Sequence, residues 1–312
     1  MGLPRFLLAV SLVMVIILAV MAWFLPSNDD FSVENPSWNG VRSLSPLVPA
    51  LPLELLSQLP PSPQGAALIL IPYLPFSQAE LEVLAEFVGG GGSLFLADDY
   101  GYGNQVLKYL GLSVRFSGSA LLDPLACYKN QWLPRIPHLT SSPVTTDVDS
   151  LVFNHATSLS HVAEDDILAR SSSFSFLDIN GNQDWDEGEP KGPLPVISSH
   201  QLSSGQVIVI ADPSIFINSM AALDGNQRFI ENISAIMSGG LYIDQSHLPP
   251  SNLHEAKKLL SGFHDFAVTP LGTLGLVIVP LLVIPVLLWP GRNKKAGGQM
   301  LGKGDTNDNG KG

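Results

Sequence analysis

Two long apolar runs, one towards each end of the chain, dominate its hydropathy pattern. Phe6–Leu25 is a run of 20 residues without a charge, and Leu271–Trp289 is a second uncharged run of 19 residues. A helix of about 20 residues crosses the roughly 30 Å hydrocarbon core of a bilayer. The pattern therefore predicts two transmembrane helices, an N-terminal one within residues 1–25 and a C-terminal one at residues 270–290.

The first run also fits a cleaved signal peptide, because Arg5 supplies the positive charge that precedes the apolar part of such peptides. Its apolar stretch is longer than the usual 7–15 or so residues, and no A-x-A-like cleavage site follows it. An uncleaved anchor is therefore favoured. The second run contains Pro280 and Pro285, which a membrane helix tolerates better than a soluble helix does.

Basic residues flank the outer ends of both runs. Arg5 precedes the first run, and Arg292, Lys294 and Lys295 follow the second. Cytoplasmic flanks of membrane helices carry an excess of Lys and Arg. We therefore expect a protein of the cell membrane with both termini in the cytoplasm and its main domain outside it. The Gly-, Asn- and Lys-rich tail at residues 291–312 is expected to be disordered.

Between the two runs the pattern changes to that of an α/β domain, which we place at residues 65–245. A Pro-, Ser- and Leu-rich leading segment (residues 26–64) precedes it. AALILIP (residues 66–72) and SLFLADD (residues 93–99) are typical of strands buried on both faces. The helix between them opens with a capping box at Ser77. Strand, helix and strand make a βαβ unit, which implies a parallel sheet.

Later parts of the domain are less regular. Tyr102–Leu110 and Asn226–Gly239 are predicted helices, and two apolar stretches joined through Ser203–Gly205 are predicted to pair as strands. Residues 120–165 are irregular, with prolines and few periodic runs, and we expect an inserted or appended β-rich portion around residues 120–200. Residues 246–269 are predicted to carry an amphipathic juxtamembrane helix.

Four sequence blocks resemble the DUF4350 family of uncharacterised, membrane-anchored proteins. They are NPSWNG (Asn35–Gly40), Leu68–Gly101, GPLPV (Gly192–Val196) and IADPSIFIN with the following NQRFIENI. The resemblance implies a fold related to the class I glutamine-amidotransferase-like, flavodoxin-like group, with a three-layer α/β architecture and a parallel sheet. It also implies a membrane setting. It brings no established activity.

Charge is unevenly distributed along the chain. The net charge is −12, and the stretch from Ser27 to Pro270 holds 10 Lys and Arg against 26 Asp and Glu. Such an acidic body repels phosphates, which argues against nucleic acid as a partner. Cys127 is the single cysteine, so an internal disulfide framework and a Cys-rich metal site are excluded.

An acidic stretch at residues 178–189 has the spacing of a calcium-binding loop. Oxygen-bearing side chains occupy positions 1, 3, 5, 7, 9 and 12 of this stretch, a pattern that wraps Ca²⁺ with six or seven oxygens. Gln183 stands at position 6, where glycine normally permits the sharp turn. A structural Ca²⁺ site and a solvated acidic turn both remain open. The predicted ligands are Asp178, Asn180, Asn182, Asp184, Asp186 and Glu189.

Three aspartates follow predicted strands, at the edge where open α/β sheets bind ligands. They are Asp98, Asp99 and Asp212. The alternative is that each carboxylate caps a helix or accepts hydrogen bonds from loop amides. A nucleophile is not evident, because Cys127 has no His at a recognisable spacing and no G-x-S-x-G motif occurs.

Two functional hypotheses follow. The first is a non-catalytic binding or scaffolding domain that recruits a ligand or a membrane or surface protein. The second is a hydrolase that uses the carboxylates at the strand ends.

Overall fold

The computed structural model describes residues 3–223 and 225–288, which form seven α-helices and fourteen β-strands. The helices are α1 (Leu3–Phe24), α2 (Leu44–Leu47), α3 (Gln78–Gly89), α4 (Gly103–Tyr109), α5 (Asn226–Ala235), α6 (Asn252–Ala267) and α7 (Pro270–Leu288). The strands are β1 (Ala50–Leu53), β2 (Ala67–Leu70), β3 (Ser93–Ala97), β4 (Arg115–Phe116), β5 (Ala120–Leu122), β6 (Arg135–Ile136), β7 (His138–Leu139), β8 (Leu151–Val152), β9 (Leu159–Ser160), β10 (Ile167–Arg170), β11 (Phe176–Asp178), β12 (Pro195–Leu202), β13 (Gly205–Ile210) and β14 (Leu241–Asp244).

Eight strands form one mixed sheet in the order β1-β14-β2-β3-β13-β12-β10-β7. The first five run parallel to one another, whereas β12, β10 and β7 are joined by antiparallel pairing. The prediction of a parallel sheet is therefore wrong for the second half of the sheet. A connection of two residues, Ser203 and Ser204, links β12 to β13, and so short a connection permits only antiparallel neighbours.

The predicted βαβ unit is present as β2-α3-β3. Every residue of β2 and β3 is buried, as continuous apolar strands in a sheet centre require. The Ser77 hydroxyl accepts a hydrogen bond from the Glu80 amide, and the Glu80 carboxylate accepts one from the Ser77 amide at 2.7 Å. This reciprocal capping box starts α3 at the predicted residue. Leu81, Leu84 and Val88 form its buried stripe.

The leading segment contributes to the core and adds a strand to the sheet. Val41, Leu44, Leu53 and Leu56 are each at most 4% exposed. β1 pairs in parallel with β14 at the edge of the sheet. The sequence pattern indicated neither strand, because each is only four residues long and Pro52 interrupts the apolar alternation of β1. Proline is tolerated there because β1 is an edge strand.

Residues 115–178 carry the short strands β4 to β11. Six of them form two-stranded pairs, β4 with β9, β5 with β11 and β6 with β8, while β7 and β10 extend the main sheet. The predicted helix at residues 102–110 is confirmed as α4, the predicted helix at residues 226–239 is confirmed over the shorter range of α5, and α6 occupies the predicted juxtamembrane stretch.

By length and composition, one helix among the described residues, Phe6–Phe24, is able to cross a bilayer. The second apolar run is helical as α7. The end of the predicted second span at residues 289–290 and the predicted disordered tail at residues 291–312 lie outside the described residues.

Leu96 tests the assignment of β3 to the centre of the sheet. Its side chain is fully buried, so Leu96→Ala is expected to lower the free energy of unfolding by about 2–5 kcal/mol through lost burial and a cavity. Urea unfolding of the full chain in detergent micelles, followed by tryptophan fluorescence, measures the change. Leu125 is 70% exposed, and Leu125→Ala should change stability by less than about 0.5 kcal/mol. Equal losses in the two variants would contradict the assignment.

Candidate functional site

Asp98 lies directly after β3 and accepts three backbone hydrogen bonds. Its Oδ1 accepts the amides of Asp99 at 2.9 Å and Gly101 at 2.7 Å, and its Oδ2 accepts the amide of Gly103 at 2.7 Å. Gly103 is the first residue of α4. Both glycines are required by this close approach, because a Cβ on either would lie 2.7 Å from an Asp98 oxygen. The carboxylate therefore organises the turn between β3 and α4, as the capping alternative predicted.

Asp99 is also buried, but its partners differ. Its Oδ1 accepts a hydrogen bond from the Tyr73 hydroxyl at 2.9 Å and another from the Tyr100 amide at 2.6 Å. Tyr73 belongs to the loop that follows β2. The contact thus joins the ends of two neighbouring parallel strands, β2 and β3.

Asp212 follows β13 and is fully buried. Its Oδ1 accepts the amide of Ser214 at 2.7 Å and caps the 3₁₀ turn Pro213–Phe216, while its Oδ2 accepts the amide of Asn154 at 2.7 Å. The second bond fixes the loop Asn154–Ala156 above the end of β13. Asp212 therefore supports a loop that arrives from the β-rich part of the chain.

The charge of Asp99 acts on both of the other carboxyl groups, so the structure brings Asp99 near Asp98 and near Asp212. Burial raises the pKa of Asp98 to about 6, and the charge of Asp99 adds to this rise while the backbone hydrogen bonds oppose it. Burial also raises the pKa of Asp99. For Asp212, burial first and the charge of Asp99 second raise the pKa well above its usual value. A cluster of this kind is characteristic of functional sites and also of structural polar networks.

Aromatic side chains surround the loop Asn154–Ala156. The Tyr100 hydroxyl donates to the Ala156 carbonyl oxygen at 3.4 Å, and the Trp132 ring stacks on His155 with ring centroids 4.6 Å apart. Trp38 lines a cavity of about 170 Å³ together with Asn154. We call Trp38, Tyr100, Trp132 and His155 the aromatic rim.

The rim is accessible to solvent, in contrast to the carboxylates behind it. Trp38 is 69% exposed and Tyr100 is 49% exposed. Sequence reasoning missed the rim. A signal was available, because Trp38 lies in the NPSWNG block and Tyr100 follows the two aspartates in the LADDYG stretch.

Two of the sequence blocks that carry the family resemblance are joined directly at this edge. Within the IADPSIFIN block, the Asn218 side chain donates to the carbonyl oxygens of Asn35 at 3.1 Å and Ser37 at 2.5 Å. Its Oδ1 accepts the Ser43 amide at 2.7 Å. Gly40 completes the NPSWNG turn, since a Cβ there would lie 2.0 Å from the Asn35 carbonyl oxygen. The leading segment is thus fixed at the strand ends beside Asp212.

The predicted calcium loop at residues 178–189 forms a turn closed by hydrogen bonds, with Asp178 buried at its start. Asp178 is 5% exposed and accepts the amides of Gly181 at 2.7 Å, Asn182 at 3.1 Å and Gln183 at 3.0 Å. Gln183 has a φ of +69°. It therefore adopts the left-handed backbone that glycine normally supplies at this position.

Further hydrogen bonds link the other predicted ligands of this loop. Asn180 and Asn182 donate to Asp186 Oδ2 at 2.6 and 2.7 Å, and Glu189 accepts the amides of Ile179 at 2.7 Å and Asp186 at 3.1 Å. The Asp184 amide donates to Asn182 Oδ1 at 2.9 Å. Within the described residues no group of three or more His, Cys, Asp and Glu side chains is arranged to hold a metal. A metal in this loop would therefore depend on the Asn180 and Asn182 carbonyl oxygens as well.

Cys127 is half-buried and forms an isolated β-bridge with Pro134. Two larger cavities, of about 710 and 380 Å³, are lined in part by the leading segment, and Asp98, Asp99 and Asp212 line neither. The carboxylate cluster therefore lies outside these two cavities.

The raised pKa of Asp98 predicts a pH dependence of stability. A carboxyl group with a higher pKa in the folded than in the unfolded state stabilises the protein below pH about 4, and this contribution is lost as the pH rises through about 6. Between pH 4 and pH 7 the loss amounts to at most about 3 kcal/mol. Asp98→Asn should reduce this loss, as measured by urea unfolding at both pH values.

Asp165→Asn is the matched control, because Asp165 is exposed. It should retain the pH dependence of the unchanged protein. Identical pH dependence in the Asp98→Asn variant would show that Asp98 titrates as an ordinary carboxyl group.

Likenesses among solved structures are weak. The mmIFT52 N-terminal domain is 14% identical over 55% of this chain and 77% of that domain, with a TM-score of 0.41. A β-galactosidase from Bacillus circulans sp. alkalophilus is 13% identical over 55% of this chain and 22% of that enzyme, with a TM-score of 0.33. The cytoplasmic protein STM3548 from Salmonella typhimurium is 14% identical over 59% and 73% of the two chains, with a TM-score of 0.31. At such TM-scores these likenesses carry no argument about this protein.

Family membership rests on the sequence instead. A comparison with curated proteins finds no match. The profile of a family described as a domain of unknown function, DUF4350, matches residues 33–233. This match covers more than half of the chain and includes the leading-segment turn, the carboxylate cluster and the loop 178–189. The chain is a member of the DUF4350 family.

Proposed function

We propose that this protein is a membrane-anchored binding domain that recruits a ligand or a surface protein at the aromatic rim. The observation that carries the proposal is the contrast between exposed and buried side chains at the strand ends. Exposed aromatic side chains surround a polar loop, while the carboxylates behind them are buried and hydrogen-bonded. Exposed Trp and Tyr are the side chains that most often anchor a partner.

The anchoring we propose uses α1 and α7 as two spans, with both termini in the cytoplasm and the domain outside it. Support comes from the contact between the two ends of the domain. Asp29, five residues after α1, accepts the Ser251 amide at 3.0 Å and lies 2.9 Å from His254 Nδ1, and Ser251 donates to Asn28 at 2.8 Å. We call these four residues the terminal clamp.

The terminal clamp is electrostatically favourable as well as close. Although burial opposes the shift, hydrogen bonds from Ser251 and the charge of His254 lower the pKa of Asp29. Because α6 starts within the clamp and leads to α7, both membrane-proximal segments leave the domain from one place. If α1 and α7 each cross the bilayer once, both termini lie on one side of it.

A relation to the class I glutamine-amidotransferase-like, flavodoxin-like group is part of the same proposal. The five parallel strands β1, β14, β2, β3 and β13 and the β2-α3-β3 unit support it. The antiparallel strands β12, β10 and β7 are then an extension of that sheet.

The alternative function is a hydrolase that uses the carboxylates at the strand ends, Asp98, Asp99 and Asp212. Burial raises the pKa of each of these carboxyl groups, which is the direction in which the pKa of a catalytic acid is shifted. Against it, Asp212 is fully buried and accepts two backbone amides. If the protein hydrolysed a substrate and Asp99→Asn abolished that hydrolysis, this alternative would be favoured over the binding domain.

We also propose that the loop 178–189 binds Ca²⁺ as a structural ion. The ligand spacing, the buried Asp178 carboxylate, the closed turn and the left-handed backbone at Gln183 support the proposal. The ion would hold the turn between β11 and β12. It would thereby also hold the surface beside this turn, where the Lys191 ammonium lies 3.4 Å from the centroid of the Trp185 indole ring.

Recruitment at the rim predicts loss of a partner when the rim is removed. In native membranes, the tagged full chain should form a specific chemically cross-linked adduct with its partner. The double variant Trp38→Ala with Tyr100→Ala should reduce the yield of this adduct at least tenfold. The reason is that truncation of two anchors of about 2 kcal/mol each weakens binding strongly. Trp185→Ala is the matched control, because Trp185 is exposed elsewhere on the domain. An adduct of unchanged yield in the double variant would refute recruitment at the rim.

The calcium proposal predicts a thermal shift. With a Kd on the order of 10⁻⁴–10⁻³ M, about 10 mM Ca²⁺ should stabilise the full chain in detergent by about 1.4–2.7 kcal/mol. Asp178→Ala should abolish the rise in Tm, because Asp178 is the buried first ligand. Glu187→Gln changes an exposed acidic residue at a non-ligand position of the loop and should preserve the rise. A Tm that Ca²⁺ leaves unchanged would disprove the site.

A further inference from the structure

The C-terminal part of α6, from Leu259 to Ala267, carries an exposed apolar stripe. Leu259 is 76% exposed, Phe263 is 60% exposed and Phe266 is 55% exposed. Their spacing of four and three residues places the three side chains on one face of the helix. Moving each of these side chains out of water lowers the free energy by roughly 25 cal/mol per Å² of apolar surface. The stripe therefore fits an apolar environment outside the chain.

The opposite face of this part of α6 is polar. Ser261, His264 and Asp265 are exposed and alternate with the stripe along the helix. A helix with one apolar face containing Phe and Leu and one polar face is the type that lies in the plane of a membrane interface. α6 therefore differs from α7, which is apolar throughout Leu271–Leu288 apart from Gly and Thr.

The connection between α6 and α7 is short and held by side-chain hydrogen bonds. The Thr269 hydroxyl donates to the Phe266 carbonyl oxygen at 2.7 Å and accepts the Gly272 amide at 3.1 Å, and the Thr273 hydroxyl donates to the Ala267 carbonyl oxygen at 3.0 Å. A Cβ on Gly272 would lie 2.0 Å from the Phe266 carbonyl oxygen. The helix is thus interrupted and restarted at a fixed corner, so α6 and α7 are separate helices.

We propose that α6 lies in the interface of a lipid bilayer, with Leu259, Phe263 and Phe266 among the upper acyl chains. This inference rests on the proposed role of α7 as a span. The bilayer is the occupant that fits, because the stripe ends at the corner from which α7 would enter the hydrocarbon core. The apolar face of such a helix is immersed by about 5–10 Å.

Site-directed spin labelling of the full chain in phosphatidylcholine vesicles tests this placement. Cys127→Ser provides a background without cysteine, since Cys127 is the single one. Nitroxides are attached at Phe263→Cys on the stripe, at Ser261→Cys on the polar face as the matched control, and at Leu276→Cys in α7 as the reference for lipid. Collision rates with oxygen, which concentrates in lipid, and with a water-soluble nickel chelate report the surroundings of each label.

The expected result is that the Phe263 label collides with oxygen severalfold more than the Ser261 label does, and with the nickel chelate severalfold less. A Phe263 label as accessible to nickel as the Ser261 label, with the Leu276 label in lipid, would overturn the inference while leaving the span intact. Shielding of the Phe263 label from both reagents would also overturn it, because a second copy or another protein would then cover the stripe. A Leu276 label in water would instead contradict the proposed span itself.

Discussion

Parallel pairing of β1 with β14 is the constraint from which the rest of the architecture follows. β1 belongs to the leading segment and β14 is the last strand before α6, so the two ends of the domain are neighbours at one edge of the sheet. The terminal clamp around Asp29 continues this closure beyond the sheet. The chain therefore enters the domain after α1 and leaves it towards α6 at neighbouring places.

The parallel strands also determine what lies at their carboxyl ends. β2, β3 and β13 end side by side, so the residues that follow them are crowded into a small volume with little water. Burial raises the pKa of all three aspartates there, and amide and tyrosine hydroxyl donors stabilise their charged forms. The same hydrogen bonds hold the loop that bears His155. The rim is the surface that we propose to bind a partner, and the carboxylates lie buried behind it.

Sequence patterns predicted the elements whose signals are local. The apolar runs of β2 and β3 and the reciprocal contacts of Ser77 and Glu80 each fall within a few residues, as does the short connection between β12 and β13. β1 escaped prediction because a short edge strand is stabilised mainly by its partner, and Ala50 of β1 pairs with Leu241 of β14, far away in sequence. β7 and β10 also escaped as individual strands, since each is fixed by pairing with other strands of the sheet.

In the candidate site, too, some features were predictable from the sequence and others were not. Strand ends followed by aspartate were visible in the sequence, and so was the spacing of the loop 178–189. The rim was not, because Trp38, Tyr100 and Trp132 meet only through the loop Asn154–Ala156. The left-handed backbone of Gln183 was equally hidden, since the conformation depends on amide bonds to Asp178 and glutamine itself does not favour it.

Disulfide formation across the terminal clamp, combined with labelling from outside the cell, tests the central claim most directly. In a Cys127→Ser background, Asn28→Cys and Ser251→Cys should cross-link in intact cells under an external oxidant, because their side chains are hydrogen-bonded at 2.8 Å. A membrane-impermeant maleimide should reach Ser173→Cys in intact cells and reach Thr306→Cys only after permeabilisation. A missing cross-link, or labelling of Thr306→Cys in intact cells, would contradict a domain that is closed at its base and held outside the cytoplasm by both ends of the chain.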